Sequence, residues 1–352
     1  MKLSTQQLDI PVGSLVLVTG ASGFVATHIV EHLLLSGYKV RGTVRDERKV
    51  QWTTELFNER HGAGKYSAVI VPDMSVDGAF DEAVKGTFNL KFLGKTKAEM
   101  VTFSPDPNAV IPESIAGVKS ILRSAAKSPS VKTFVFTSSS VSCAGGIPGP
   151  NVSFSIDETT YNESAVVEAW SVTSPPFPPT HPSNVYGASK AEAEKAFWTF
   201  VKEENPHFKV NTIIPDANFG DVLSTQGSLS TGNWMRMAVT QGKDFVLHKF
   251  LPYQWYVNVN DTARLHVAAL ISTDVKNERI FSFAAPSTWT EIFKNLKNLY
   301  PDRHFADPVP REEQSKMRVP NQRGEQLLRD VFGRLGWVSL EETVAQNVKD
   351  LE

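Results

Sequence analysis

Tyr186 and Lys190, in Val185-Tyr186-Gly187-Ala188-Ser189-Lys190, stand one helical turn apart and so share one helix face. A phenol placed there can hand a proton to a carbonyl oxygen as a hydride arrives at the carbon. A free tyrosine has a pKa of about 10, so work near neutral pH asks for a shift of roughly 4 kcal/mol toward the tyrosinate. A neighbouring ammonium acts in that direction, and Lys190 could also hold a ribose hydroxyl. Ser139 follows the apolar run Val131–Thr137, and its hydroxyl could polarise the same oxygen; Ser138, Ser140 and Ser142 compete for that role. Tyr-x-x-x-Lys by itself is commonly an exposed helix pair, and it gains weight here from the residues that accompany it.

The second group is a glycine turn. Leu15-Val16-Leu17-Val18 runs into Thr19-Gly20-Ala21-Ser22-Gly23-Phe24-Val25-Ala26. Gly20 suits a tight turn, Gly23 lets backbone approach a pyrophosphate, and Ala26 lets the helix pack close to the strand. A diphosphate would then lie at the helix N-terminus, where free N–H groups and the helix dipole favour anions, with Gly20, Ser22, Gly23, Phe24 and Val25 around it. The next strand ends Val44-Arg45-Asp46. Arg45, or Arg48 or Lys49 just after it, can pair with a 2′-phosphate, whereas Asp46 could hold a free ribose. The charge of Arg41, Arg45, Arg48 and Lys49 favours NADP(H), although a solvated helix start accounts for such charges too. Asp73 is a candidate adenine contact or a helix cap.

One motif points elsewhere. His28-Ile29-Val30-Glu31-His32 matches the H-x-x-E-H zinc pattern. It lies on the helix leaving the glycine turn, with no evident third ligand. It reads as a pair of partly exposed histidines, and no metal is expected.

These residues need elements to position them. Strands are expected at Leu15–Thr19, Tyr38–Val44, Tyr66–Val71, Val131–Thr137 and Phe208–Ile214. Helices are expected at Phe24–Ser36, Asp46–Glu59, Ile111–Ala126 and from near Ser183. This alternation argues for an α/β fold, a Rossmann-type doubly wound parallel sheet with a smaller C-terminal substrate lobe. The nucleotide-binding domain would span 1–218, with a strand and helix returning at 255–283. Residues 219–254 and 284–352 would form the lobe. Residues 143–182 are proline-rich and read as a loop excursion. Trp234, Phe245, Phe250, Tyr253, Trp255 and Tyr256 could line an apolar pocket, though ordinary packing would account for at least half of them.

Apolar residues make up 41% of the 352, enough for a substantial core, and the net charge of −2 gives no basic excess for nucleic acid or anionic lipid. The single cysteine, Cys143, fits a reducing compartment. With no apolar leader and no span-length run, a cytoplasmic protein off the membrane is expected.

Taken together, Leu17–Phe24, Val44-Arg45-Asp46, Phe136–Ser140, Tyr186–Lys190 and Asn258-Val259-Asn260-Asp261-Thr262-Ala263 resemble the extended short-chain dehydrogenase/reductases. Within them the chain is most similar to the dihydroflavonol reductase-like branch, and to the fungal and yeast aldehyde and ketone reductases of the methylglyoxal reductase type. The resemblance implies a seven-stranded sheet with NADP across its strand ends and Arg45 and Lys49 at the 2′-phosphate. It places Pro215 near the nicotinamide and assigns Ser139 to polarise the carbonyl, Tyr186 to protonate it and Lys190 to assist. Two departures stand out. Plant flavonoid reductases carry asparagine five residues after the active serine; here that residue is Ala144, which argues against a flavonoid. Where the family has an apolar fourth strand, this chain reads Thr87 to Val101, with Lys91, Lys95, Lys97 and Glu99. Asn89–Leu93 could still form a short strand, or the segment could reflect a misread exon boundary.

The expected function is NADPH-dependent reduction of an aldehyde or ketone to an alcohol by a monomer or homodimer. A non-catalytic NADP-binding sensor and a sugar-nucleotide epimerase or dehydratase are the alternatives.

Overall fold

Leu15–Val18 (β1) is fully apolar and its last three residues are buried, as expected of a strand covered on both faces. The computed structural model describes residues 8–87, 89–93, 104–145, 149, 151–251, 253–307 and 313–351. In chain order, Phe24–Leu35 (α1), Lys39–Val44 (β2), Glu47–His61 (α2) and Tyr66–Ile70 (β3) follow β1. Next come Asn89–Leu93 (β4), Pro107–Ala126 (α3), Thr133–Thr137 (β5), Glu163–Ser171 (α4), His181–Glu204 (α5) and Lys209–Pro215 (β6). Asp106 caps α3 from outside, with Pro107 in the first turn, so this helix starts earlier than its apolar pattern indicated.

The second half contains Ala217–Phe219 (β7), Gly232–Gln241 (α6), Leu247–Phe250 (α7), Tyr253–Asn258 (β8), Val259–Ile271 (α8) and Glu278–Ser282 (β9). It ends with Ala285–Thr288 (β10), Trp289–Leu299 (α9), Gln322–Phe332 (α10) and Leu340–Val348 (α11). Seven parallel strands form one sheet in the order β3-β2-β1-β4-β5-β6-β9, and β10-β8-β7 form a second. The chain therefore leaves the large sheet after β6 and returns to it with α8 and β9, while β8 joins the small sheet.

Strand alternation sorts side chains onto two faces. Val16, Val18, Val135 and Ile213 pack with α1, α8 and α10. Leu17, Phe134, Phe136 and Val210 pack with α3 and α5. Phe197 of α5 sits between Phe134 and Phe136, with ring centroids 5.7 and 5.3 Å away. Burying one such ring contributes about 1.5–3 kcal/mol. The small sheet has its own core, in which Phe219, Phe245 and Trp289 meet Met235 and Val344.

The irregular segment supplies the fourth strand. Asn89–Leu93 pairs with β1 (Val16 opposite Asn89) and with β5 (Asn89 opposite Thr133, through Leu93 opposite Thr137). Ladder bonds belong to the backbone, and two flanking strands offer unpaired edges that this stretch satisfies. Phe88 and residues 94–101 of the same departure lie outside the described residues.

Three expectations need correction. The proline-rich excursion holds a helix, α4, whose Asn162 cap accepts from Ala165 N–H and donates to Val141 C=O. His28 and His32 are buried rather than partly exposed, because α8 covers them. His28 Nδ1 and His32 Nε2 both lie on Asn260 Oδ1, at 3.2 and 3.0 Å, and His28 Nε2 lies 2.9 Å from the Asp221 carbonyl. Burial lowers the His32 pKa to about 3, so the ring is neutral. Glu31, between them, pairs with Arg60 and His61 instead. Arg41 does not face the ribose end of β2: its guanidinium donates to the carbonyls of Ala83 and Lys85, both at 2.8 Å.

Candidate active site

The glycine turn links β1 to α1. Gly20 has φ +60°, a left-handed conformation that favours glycine. Gly23 caps α1 with no side-chain hydrogen bond, and no acidic residue occupies the first turn. The N–H groups there consequently face a cleft of about 210 Å³, whose walls include Gly20, Ser22, Gly23, Phe24 and Val25. Arg45 and Lys49 reach the same cleft from the end of β2 and the start of α2. Donors at one end and two cations at the other suit a dinucleotide carrying an extra phosphate.

Asp46 stands at the start of α2 with its side chain half exposed. Its carboxylate accepts from Lys49 N–H at 3.0 Å and Lys49 Nζ at 2.8 Å, capping α2. Asp73 is exposed and accepts from the Ser75 N–H and hydroxyl at 2.8 and 2.6 Å, while Val71 and Met74 form the nearby cleft wall.

The second cavity, about 430 Å³, opens over the C-terminal ends of β5 and β6. Ser139, the first residue beyond the end of β5 but one, and Tyr186, from the first turns of α5, share its wall. Lys190 Nζ lies 5.5 Å from the centre of the Tyr186 ring. The competing serines have other partners. Ser138 and Ser142 are buried and donate to Glu194 Oε2 at 2.6 and 2.8 Å; Ser140 donates to Asp216 Oδ1 at 2.6 Å. Beneath this turn, fully buried Glu194 is paired with Arg279 (Nε to Oε1, 2.8 Å). Arg279 also donates to the carbonyls of Glu158 and Thr160 and lies 4.3 Å from the Tyr161 ring centre. The serine turn thus rests on a hydrogen-bonded ionic base.

Pro215 ends β6, and the next residue, Asp216, enters the cavity wall. Burial raises the Asp216 carboxyl to about 6, partly offset by its bonds to Ser140 and Trp255. Of the six aromatic candidates, Trp234 and Tyr253 line the cavity. Phe245, Trp255 and Tyr256 belong to packed cores, and Phe250 is 75% exposed.

Sequence reasoning missed a strap. Gln226, Gly227, Ser228 and Ser230 form the outer wall of the glycine-turn cleft, and Ser230, with φ +50°, also lines the second cavity. Gly227 lies so close that a Cβ would run into the Ser22 carbonyl. The signal available was the polar run Gln226-Gly227-Ser228, which has no evident role without its neighbour.

Among the described residues, no group of three His, Cys, Asp or Glu side chains could hold a metal, and no helix is long and apolar enough to cross a membrane.

Comparison with known proteins places these cavities in context. A family model described as the NAD dependent epimerase/dehydratase family matches residues 16–283. Ketoreductase adrE of Penicillium rubens is 37% identical, over 94% of this chain and 95% of that protein. Aldehyde reductase 2 of Sporidiobolus salmonicolor is 36% identical, over 95% of each. Among solved structures, Gre2 of Candida albicans in complex with NADPH aligns with a TM-score of 0.79 at 25% identity, covering 96% of this chain and 98% of that one.

Proposed function

Because this chain belongs to the NAD-dependent epimerase/dehydratase family, we propose that it is an NADPH-dependent carbonyl reductase that converts an aldehyde or ketone to an alcohol. The observation that carries this reading is the shared wall of Ser139 and Tyr186, with Lys190 behind the phenol, in a cavity joined through Ser230 to the glycine-turn cleft. The names of the ketoreductase and aldehyde reductase relatives support the same reaction.

In this reading the α1 N-terminus, with Gly20, Ser22, Gly23, Phe24 and Val25, holds the pyrophosphate, and Arg45 and Lys49 hold the 2′-phosphate. Pro215 and Asp73 stand at the nicotinamide and adenine ends. The bound cofactor supplies the hydride. Ser139 donates a hydrogen bond to the substrate oxygen, fixing the carbonyl against Tyr186. Tyr186 releases its proton to that oxygen as negative charge builds there, and the Lys190 ammonium stabilises the tyrosinate left behind. The apolar remainder of the wall keeps water from the reacting carbon. A sugar nucleotide is disfavoured, since no lysine or arginine among the described residues of this wall could hold a diphosphate.

The test is oxidation of NADPH, with NADH alongside, against a panel of aldehydes and ketones. Turnover with NADPH well above NADH is expected. No turnover with any carbonyl compound, despite measurable NADPH binding, would contradict the reading.

A further inference from the structure

The wall around Ser139 and Tyr186 is largely apolar, with Ile156, Trp234, Phe283 and Met317 contributing. Among the described residues that form it there is no lysine, arginine or histidine, and there is one carboxylate, Asp216. Both of its oxygens are fixed by neutral donors: Oδ1 by the Ser140 hydroxyl at 2.6 Å, and Oδ2 by the Trp255 N–H at 2.9 Å. These bonds orient the carboxylate toward the serine turn and β8 without neutralising its charge.

We propose that Asp216 is a specificity-determining residue of this cavity, admitting neutral carbonyl compounds and excluding those that carry a carboxylate or phosphate. The proposal deepens the carbonyl-reductase reading and rests on it. In a chamber of about 430 Å³, a substrate anion cannot retreat far from Asp216. Two like charges roughly 7 Å apart at an effective dielectric of about 20 repel by enough to reduce binding about fiftyfold, and water at the mouth lowers this toward tenfold. The anion would also lose hydration without finding a cation in the wall.

The exclusion carries its own switch. With the carboxyl raised to about 6 by burial, the repulsion is present above that pH and fades below it. The other ionisable groups on the surrounding elements include Cys143 beside the serine turn, His181, Tyr186, Lys190 and Glu194 on α5, Tyr253 and Tyr256 on β8 and Arg279 on β9. Arg279 is engaged with Glu194, and neither residue belongs to the cavity wall. A ratio of two substrates that use the same Tyr186 cancels any titration acting on both.

The experiment compares methyl 4-formylbenzoate with 4-formylbenzoate, with NADPH, from pH 8 to pH 5.5. The acid's own carboxyl, with an ordinary value near 4, stays ionised over this range. The wild-type kcat/KM should favour the ester by at least about tenfold at pH 8, mainly through KM. That preference should shrink by about tenfold as the pH falls through 6. Asp216→Asn should show a smaller preference that does not vary with pH. A wild-type ratio that stays constant from pH 8 to 5.5, or a variant that keeps the wild-type pH dependence, would overturn the proposal; the first needs no variant to fold. Failure to reduce the ester together with every aldehyde and ketone of the panel would overturn the reductase reading and this inference with it, an outcome distinct from reducing both compounds equally.

Discussion

Replacing Arg279 by methionine removes the cation from beneath the serine turn and leaves a defined deficit. Glu194 would keep the hydroxyls of Ser138 and Ser142 at 2.6 and 2.8 Å but lose its ionic partner while fully buried. The carbonyls of Glu158 and Thr160 would lose their donor. A carboxylate in that position escapes by taking up a proton. Neutralising a group with an ordinary value near 4.3 at pH 7.5 costs roughly 4 kcal/mol, which limits the ionic penalty; broken buried pairs commonly lose 3–5 kcal/mol. For a chain of 352 residues, about 4 kcal/mol corresponds to a fall of about 5 °C in Tm. The penalty must also depend on pH. In the variant, the folded-state carboxyl is raised above its unfolded value, so the loss is largest at high pH and shrinks as the pH falls. The slope is at most about 1.4 kcal/mol per unit, so the deficit narrows by up to roughly 2–3 kcal/mol between pH 7.5 and 5.5. Urea unfolding of wild type and variant at both pH values measures this directly. Adding Glu194→Met should recover part of the loss, because no buried carboxylate then lacks a cation, although Ser138 and Ser142 lose that acceptor. A deficit that is the same at both pH values, or less than about 1 kcal/mol at pH 7.5, would refute the view that Arg279 serves chiefly to neutralise Glu194.

Three further outcomes follow from the site. Tyr186→Phe should lower kcat by about 10²–10⁴ while NADPH binding, followed by cofactor fluorescence, is retained. Arg45→Ala combined with Lys49→Ala should reduce the preference for NADPH over NADH by about 100-fold or more, mainly through KM for the cofactor, because two charge-assisted contacts of about 1.5–3 kcal/mol each are lost. Gly227→Ala places a methyl against the Ser22 carbonyl; overpacking of about 1–3 kcal/mol should raise KM for NADPH roughly tenfold, which steady-state kinetics with varied cofactor would detect.

The parts of the site that sequence exposes are those built from neighbours in the chain. The glycine turn lies within one strand-to-helix junction, and Tyr186 and Lys190 lie within one helix. The features that escaped depend on remote partners. Asp216 acquires its setting from Ser140, 76 residues away, and from Trp255, 39 residues away. The histidines on α1 looked exposed because the helix that buries them comes more than 220 residues later. The fourth strand was obscured for another reason. Side-chain composition argued against Asn89–Leu93, whereas its position is set by backbone ladders on both edges, to which composition is a weak guide.

The late arrival of α8 also bears on how the chain is made. Ala26, Ile29, Val30 and Leu33 of α1 are fully buried in the core that Ala263, Val267 and Leu270 help to form, and Asn260 stands 232 residues after His28. A ribosome adding about 5–20 residues per second needs on the order of 10–50 s to cover that interval. Throughout it, the first helix of the nascent protein lacks the partner helix that completes its side of this core. Pauses or premature stops before residue 259 prolong that state. Slowed translation should therefore shift this polypeptide toward chaperone capture or aggregation, whatever the stability of its finished fold.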